Sequence, residues 1–433
     1  MPKITFMGAG STVFAKSVLG DIILNPVLKG SEIALYDIDP QRLKDSEMMI
    51  KNLNEKYKGE MKIKSYLGVE NRKEALEGAK YVINAIQVGG YKPSTVIDFE
   101  IPKKYGLRQT IGDTLGIGGI FRALRTIPVL KEFADDIEEV CPDALFLNYT
   151  NPMSILTGAL IKFGVKTVGL CHSVQVCVPG LLKPLGISTE NVQWKIAGIN
   201  HQAWLLEITR DGKDLYPEIK EKANKRPTPH NDMVRYEIMR QFGYYVTESS
   251  EHNAEYVPWF IKKSHPELIE KYNIPLDEYP RRCENQIKGW NEMRKQLVEN
   301  KDIEHKKTNE FASYIIEAVE TDKPYRIHGN VLNTGLIANL PNDAIVEVPC
   351  MVDRNGINPC YVGDLPQQLA AINRMSINVH LLTLEAAFTL KKDYIYMAAM
   401  LDPHTGSELT IDEIRAMVDD LIEAHGNWLP KFK

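Results

Sequence analysis

The sequence predicts an α/β protein: a Rossmann-like, doubly wound parallel sheet in the first half and an α+β arrangement in the second. Short apolar runs alternate with helical patterns through residues 3–170, which is typical of a parallel sheet covered by helices. A glycine-rich turn follows the first of these runs. From about Trp194 onward, longer connections and aromatic, proline-bearing stretches replace the alternation. We therefore expect two domains, 1–193 and 194–433.

Six apolar runs predict the strands of the first half, in the order "KITFMG", "EIALYD", "MKIKSYL", "YVINAI", "ALFLNYTNP" and "KTVGL". Among the segments between them, "RALRTIPVLKEFADDIEEV" places Leu124, Ile127 and Leu130 at helical spacing, with charged residues between them. This pattern predicts a crossover helix. The chain ends in an amphipathic stretch, "TIDEIRAMVDDLIEAHGNWL", which predicts a C-terminal helix.

Composition excludes several classes of function. The net charge of -5 disfavours a nucleic-acid partner, because such binding depends on neutralising phosphates with Lys and Arg. No apolar run reaches the roughly 20 residues that span a bilayer, and the start "MPKITFMGAG" has no signal-peptide pattern. We expect a cytoplasmic protein without a membrane partner. The six scattered cysteines are expected to be reduced thiols.

The stretch "ITFMGAGSTVF" predicts a nucleotide-binding turn after the first strand. Gly8, Gly10 and Ser11 match the start of a dinucleotide fingerprint, in which backbone N–H groups at a helix N-terminus hold the pyrophosphate. Asp37 ends the second strand and would bind the ribose hydroxyls, which favours NAD over NADP. Val13 replaces the third glycine, so the motif is weak by itself. The order of strand, turn, helix, strand and acid supports it.

Polar residues end three later strands, where sheets of this kind bind their ligands. They are Asn84, then Asn148 with Asn151, then Cys171 with His172. His201 follows in "AGINHQAW". A thiolate and an imidazole can bind a divalent transition ion, but a buried cysteine and a hydrogen-bonded histidine would give the same pattern. Spacing alone leaves both interpretations open.

Long blocks of the sequence resemble glycoside hydrolase family 4, and its α-galactosidase (melibiase) branch in particular. They include "QTIGDTLGIGGIFRALRTIP", "LNYTNPM", "GLCHSVQ", "AGINHQAW", "ESSEHNAEYVPWFIK" and "YPRRCENQ", and they extend almost from end to end. The resemblance implies an α-galactosidase that uses NAD+ and Mn2+ or a similar ion without net redox change. NAD-dependent members of this family depart from the two-carboxylate mechanism of most glycosidases.

The resemblance also implies roles for individual residues. Cys171 and His201 would hold the metal, which stabilises charge on the sugar once the nicotinamide has taken hydride from C3. Tyr256 would remove the C2 proton, with Asp113 as the rival base. His172 stands where the α-glucosidase branch has an aspartate, so its role as general acid stays open. The remaining implied roles are cofactor binding by Asn84 and substrate binding by Asn148, Asn151 and Arg282.

Other interpretations remain at this stage. His252 and Glu255, close to Tyr256, are either part of the same functional loop or ordinary surface residues. An α-glucosidase of the same family is one alternative function. A hydroxy-acid dehydrogenase of the lactate and malate type shares the predicted strand order, and a non-catalytic NAD-responsive regulator would need the glycine turn but not Cys171 with His201. The resemblance further implies a homodimer or homotetramer.

Overall fold

The computed structural model describes residues 1–433 and contains one large mixed sheet with helices packed on both faces. The strands are β1 (Lys3–Met7), β2 (Glu32–Asp37), β3 (Lys62–Leu67), β4 (Tyr81–Asn84), β5 (Leu145–Asn148), β6 (Thr167–Gly169), β7 (Val192–Ile199), β8 (Gln202–Arg210), β9 (Lys213–Asp214), β10 (Tyr245–Val246), β11 (Tyr325–Leu332), β12 (Ile345–Asp353) and β13 (Gly356–Pro359). None of the helices is both long and apolar enough to cross a bilayer.

Seventeen α-helices cover the sheet. They are α1 (Thr12–Leu24), α2 (Pro40–Tyr57), α3 (Arg72–Leu76), α4 (Val96–Lys104), α5 (Gly116–Val140), α6 (Met153–Lys162), α7 (Ser173–Leu182), α8 (Tyr216–Lys225), α9 (Met233–Phe242), α10 (Ser250–Tyr256), α11 (Glu267–Lys271), α12 (Glu278–Arg294), α13 (Phe311–Thr321), α14 (Gln367–Thr389), α15 (Lys392–Leu401), α16 (Pro403–Glu408) and α17 (Ile411–His425).

The first six strands form the predicted parallel sheet, in the spatial order β3-β2-β1-β4-β5-β6. Each corresponds to one of the six apolar runs, and the almost fully buried β4 and β5 show why those runs are continuous rather than alternating. The strand order reverses between β1 and β4, which is where doubly wound sheets bind their ligands. The Rossmann-like fold class is confirmed.

The second half of the chain does not build a separate sheet but extends the first one. The order continues from β6 through β11, β12, β7, β8 and β10, with antiparallel pairing. The predicted domain boundary after residue 193 falls within β7. The division into two domains therefore stays a prediction, because strands from both sides of that boundary share one sheet.

The crossover helix predicted near residues 122–140 is present as α5, but its first half is buried on all sides. Arg122 and Arg125 were expected among the charged residues between the apolar positions; they are 8% and 1% exposed. The Arg125 guanidinium donates two hydrogen bonds to Asp98 on α4, at 3.1 and 2.6 Å. His425, at the end of α17, lies with Nε2 2.9 Å from Asp98 Oδ1. Asp98 thus joins three helices.

Replacing Asp98 by alanine should lower the free energy of unfolding by about 3–5 kcal/mol, because it leaves the buried Arg125 charge without a partner. Denaturant titration measures this difference. The matched control is Asp135→Ala, which breaks an exposed pair with Lys131 on α5 and should change the unfolding free energy by less than about 1 kcal/mol. Equal effects of the two substitutions would contradict the prediction.

Candidate active site

Three side chains that can bind a metal converge at one edge of the sheet. Cys171 Sγ lies 3.4 Å from His201 Nε2, and Glu248 Oε2 lies 3.4 Å from the same nitrogen. The ligand atoms of the three residues all lie within 4.8 Å of one another. Cys171 and His201 are buried and Glu248 is largely so. The structure therefore brings together the two residues that the sequence predicts as metal ligands and adds a carboxylate.

Strand pairing explains why residues so distant in the chain meet. Asn330 on β11 pairs with Glu347 on β12. Asn330 also pairs with Gly169 on β6, and Glu347 also pairs with Gly198 on β7. Cys171 follows β6, and His201 lies in the two-residue turn between β7 and β8. A side chain at Gly169 would come within 2.6 Å of Met153 Sδ, so glycine is needed for this close packing.

The second ring nitrogen of His201 is held by Tyr256. His201 Nδ1 lies 3.0 Å from the Tyr256 hydroxyl, and both side chains are buried. If Nε2 binds a metal, Nδ1 carries the hydrogen and donates it to Tyr256, which fixes the tautomer and the ring orientation. Burial, and then the Asp113 and Glu255 carboxylates, raise the pKa of Tyr256 well above its usual value.

Glu255 anchors the loop that carries Asp113. Its carboxylate accepts hydrogen bonds from the backbone N–H groups of Thr110 at 2.8 Å and Gly112 at 2.9 Å. Burial raises the pKa of Glu255 to about 7, although these backbone donors oppose the shift. Because Glu255 and Tyr256 are adjacent on α10, this contact fixes the loop of Asp113 relative to Tyr256.

Asp113 is a buried carboxylate with cationic neighbours. Burial alone would raise its pKa, but the Arg122 guanidinium and the His252 imidazole lower the pKa below its ordinary value. Thr114 Oγ1 donates to Asp113 Oδ1 at 2.7 Å. Burial raises the pKa of the Tyr256 hydroxyl most, the Asp113 carboxylate raises that pKa further, and the Thr114 side chain lowers it. Tyr256, Thr114 and Asp113 therefore lie close together, and the two candidate bases are neighbours in one buried group.

The charges at the metal cluster favour a bound cation. Burial opposes ionisation of Glu248, but the imidazoles of His201, His252 and His172 lower its pKa to about 2. Burial raises the pKa of the Cys171 thiol to about 11. The carboxylate is thus ionised at neutral pH, and the thiol becomes a thiolate when a metal replaces its proton. A thiolate, an imidazole and a carboxylate together fit a divalent transition ion.

The glycine turn has the geometry expected of a dinucleotide site. Gly8 adopts a φ of 86°, and a Cβ there would lie 2.8 Å from the Ala85 carbonyl oxygen. A Cβ at Gly10 would lie 2.8 Å from Asp37 Oδ2, and the Gly10 N–H donates to that oxygen at 2.6 Å. Ser11 caps α1. The turn therefore leaves open the space that a phosphate group approaches in such folds.

The other predicted site residues differ in their surroundings. Asn84 Nδ2 donates to Asn148 Oδ1 at 3.0 Å, and both side chains are wholly buried at adjacent strand ends. Asn151 is half-buried, with its amide 3.4 Å from Asp113 Oδ2. His172 is exposed at the start of α7. Arg282 is half-exposed and paired with carboxylates on α10 and α12. The roles of these residues stay predictions.

Sequence reasoning missed two residues of this site. Glu248 lies in the polar stretch "TESSEHNAEY", where nothing distinguishes it from its neighbours. Arg122 is buried beside Asp113, with its guanidinium 5.9 Å from the Tyr279 ring centre and Nε donating to the Asn151 carbonyl at 3.2 Å. The available signal for Arg122 was an arginine within the apolar run "GGIFRAL". His252 and Glu255, left open by the sequence, are both buried.

Comparison with known protein families shows to which family this chain belongs. The family model of the family 4 glycosyl hydrolases matches residues 3–187. The family model of the family 4 glycosyl hydrolase C-terminal domain matches residues 196–405. The chain belongs to glycosyl hydrolase family 4. Among family 4 relatives, an α-galactosidase of Bacillus subtilis (strain 168) is 62% identical over 435 residues, covering 100% of both chains. An α-galactosidase of Rhizobium meliloti (strain 1021) is 36% identical and covers 99% of this chain and 89% of its own.

Solved structures show the same fold. A 6-phospho-α-glucosidase from gut microorganisms, in complex with NAD and Mn2+, superposes with a TM-score of 0.81 at 21% identity, and the match covers 100% of both chains. A malate dehydrogenase from Plasmodium falciparum gives a TM-score of 0.55 at 16% identity, covering 91% of this chain and 100% of its own. At these identities the likeness concerns the fold alone, and it agrees with the dehydrogenase-like arrangement predicted from the sequence.

Proposed function

We propose that the protein is an α-galactosidase that hydrolyses terminal α-D-galactosides with NAD+ and a divalent ion such as Mn2+. The observation that carries this proposal is the convergence of Cys171 Sγ and His201 Nε2, 3.4 Å apart, at the sheet edge that also holds the glycine turn. Family membership supports hydrolysis of a glycoside. The full-length similarity to a protein named α-galactosidase supports the galactoside.

Two groups would complete the site. NAD+ would lie over the turn at Gly8 and Gly10, with Asp37 beside the ribose, and would supply a hydride acceptor that returns the hydride before the product leaves. A divalent ion held by Cys171 and His201 would supply Lewis acidity towards two neighbouring oxygens of the galactosyl ring. The orientation of both ligands is then fixed by the strand ends that carry them.

The protein side chains move the protons. The Tyr256 hydroxyl lies 3.0 Å from His201 Nδ1, and Thr114, which is close to Tyr256, donates a hydrogen bond to Asp113. We infer that Tyr256 takes the C2 proton of the sugar while its own proton moves through Thr114 to Asp113. Arg122 keeps Asp113 ionised until it accepts this proton, and Asn151 holds its carboxylate in place. His172, exposed next to Cys171, is positioned to protonate the leaving oxygen and is our candidate general acid.

Hydrolysis of p-nitrophenyl α-galactoside tests the proposal. We expect turnover that requires both NAD+ and Mn2+, stops on addition of EDTA, and produces no net NADH. The same assay with p-nitrophenyl α-glucoside tests the alternative α-glucosidase activity. Hydrolysis that is indifferent to EDTA and to removal of NAD+ would overturn the proposal, and NADH accumulating with a hydroxy acid would indicate a dehydrogenase instead.

Metal affinity should depend on pH because the Cys171 thiol must lose its proton. Burial raises its pKa to about 11, so the metal-free protein carries a thiol at neutral pH and releases one proton for each ion bound. We expect the apparent Mn2+ affinity to rise about tenfold for each pH unit between roughly pH 6.5 and 8.5. Calorimetry in two buffers of different ionisation enthalpy measures the released proton, and an affinity independent of pH would contradict this expectation.

We further propose that the protein works in the cytoplasm as a homodimer or homotetramer, and that its N-terminal and C-terminal halves bind cofactor and substrate respectively. The support is the family resemblance; the apolar side of the C-terminal helix α17 is already buried within the protomer, at Met417, Val418 and Leu421. Analytical ultracentrifugation tests the oligomeric state directly. A monomer at the concentration used in the activity assay would contradict it.

A further inference from the structure

We propose that Glu248 is a third protein ligand of the divalent ion, bound directly through its carboxylate. The inference rests on the proposed function only in requiring an ion at Cys171 and His201. The family resemblance supplies a cysteine and a histidine for this role, whereas the structure adds a carboxylate from a different element, the connection between β10 and α10.

The separations of the three ligand atoms fit one shared ion. Bonds of roughly 2.0–2.3 Å from a divalent ion to nitrogen, oxygen and sulfur place two adjacent ligands of one ion about 3–3.7 Å apart. Cys171 Sγ and Glu248 Oε2 each lie 3.4 Å from His201 Nε2, which is within this range. The sulfur and the carboxylate lie within 4.8 Å of each other, so a single ion can contact all three atoms.

Without an ion, His201 Nε2 has two neighbours that it cannot satisfy together. Nδ1 is occupied by Tyr256, and Nε2 faces both the thiol of Cys171 and the carboxylate of Glu248. If Nε2 accepts a hydrogen bond from the Cys171 thiol, the lone pair of Nε2 also faces the negatively charged carboxylate of Glu248. If Nε2 carries a hydrogen, it can satisfy only one of the two neighbours. A cation between the three atoms resolves this conflict, because each of them can donate an electron pair to it.

The backbone conformation at His201 and Glu248 also supports direct binding. His201 and Glu248 adopt φ values of 63° and 60°, in the left-handed region that disfavours residues with a Cβ. Such conformations persist where the surrounding structure enforces them, and they cluster at functional sites. Here the pairing of β10 with β8 and the hydrogen bond from Thr247 N–H to Ala203 O at 2.8 Å place Glu248 beside the turn that carries His201. Both strained residues point at the same centre.

A third ligand has consequences for the reaction. A thiolate and a carboxylate together cancel the charge of a divalent ion, and a carboxylate oxygen favours Mn2+ over the softer ions that a thiolate and imidazole alone would select. An ion that prefers six ligands would keep three positions for two sugar oxygens and one water. We therefore expect Glu248 to strengthen binding of the ion in the absence of substrate.

Titration of Mn2+ into the metal-free, NAD+-loaded enzyme tests the inference without relying on activity. The electron paramagnetic resonance signal of free Mn2+ gives the affinity and the number of sites. We expect one site in the wild type and a loss of affinity of more than about 100-fold in Glu248→Gln, because even indirect partners of metal ligands contribute 10–100-fold. Glu251→Gln is the matched control: Glu251 lies three residues further along the chain and pairs with Arg282, and its variant should bind Mn2+ like the wild type.

A ligand exchange separates direct binding from a long-range effect of charge. In Glu248→His, the imidazole Nε2 lies about as far from Cβ as the carboxylate oxygen does, and pulsed electron paramagnetic resonance of the Mn2+-loaded protein should show a second coupled nitrogen beside that of His201. Wild-type Mn2+ affinity in Glu248→Gln, or a single coupled nitrogen in Mn2+-loaded Glu248→His, overturns the role of Glu248 and leaves the proposed function standing. A wild type that takes up no Mn2+ overturns both.

Discussion

Cys171→Ser should abolish metal-dependent hydrolysis, with a fall in turnover of at least about 1,000-fold. The serine hydroxyl stays protonated near neutral pH and cannot replace a thiolate as an anionic ligand. The Lewis acidity lost with the ion is worth several kcal/mol of barrier, and each 1.4 kcal/mol corresponds to a tenfold change in rate. Initial rates on p-nitrophenyl α-galactoside across a range of Mn2+ concentrations measure the effect.

Cys177→Ser is the matched control for this substitution. Cys177 is also buried, six residues further along the chain on α7, but its side chain packs into an apolar cluster away from His201. That variant should keep its dependence on Mn2+ and lose only some stability. Full Mn2+-dependent turnover in Cys171→Ser would show that the sulfur is not a ligand, and would remove the observation on which the proposed function rests.

The sequence predicts most of the nucleotide-binding half because its signals are local. Each of β1 to β6 is a short apolar run bounded by polar residues, and the turn at Gly8 needs a conformation that only glycine adopts easily. From the sequence, a metal shared by Cys171 and His201 was only one of two interpretations; a buried cysteine and a hydrogen-bonded histidine was the other. Both residues lie at strand ends, but the order of β6, β11, β12 and β7 that brings them together depends on strands more than 100 residues further along the chain.

Glu248 and Arg122 could not be predicted for the same physical reason. Glu248 reaches the site because a strand of two residues, β10, pairs with β8, and so short a strand leaves no periodic pattern. Arg122 occupies a helix whose surroundings come from distant parts of the chain, so its apolar segment "GGIFRAL" indicates burial but not the contact with Asp113. In both cases the chemistry is set by long-range packing, whereas the sequence pattern reports only local structure.

Asp113→Asn should lower the turnover number by about 100- to 10,000-fold, the usual contribution of a group that accepts a proton in the transition state. The amide cannot take the proton that Tyr256 passes through Thr114, so Tyr256 stays a neutral phenol and cannot act as a base. Removal of the C2 proton then limits the rate. A substrate deuterated at C2 should accordingly show a larger isotope effect in the variant than in the wild type, where release of product or another step can mask it.

Two further variants separate the proton path from other roles of the same side chains. Thr114→Val removes the hydroxyl between Tyr256 and Asp113, and should reduce the turnover number while leaving Mn2+ affinity unchanged. Tyr256→Phe removes the base and also the partner of His201 Nδ1, so it should lower both turnover and, by about 10–100-fold, Mn2+ affinity. Measuring Asp113→Asn, Thr114→Val and Tyr256→Phe at saturating Mn2+ removes the contribution of weaker Mn2+ binding to the loss of turnover. If Asp113→Asn and Thr114→Val keep full turnover while Tyr256→Phe does not, Tyr256 acts as the base without passing a proton to Asp113. If only Asp113→Asn loses turnover, Asp113 itself takes the C2 proton.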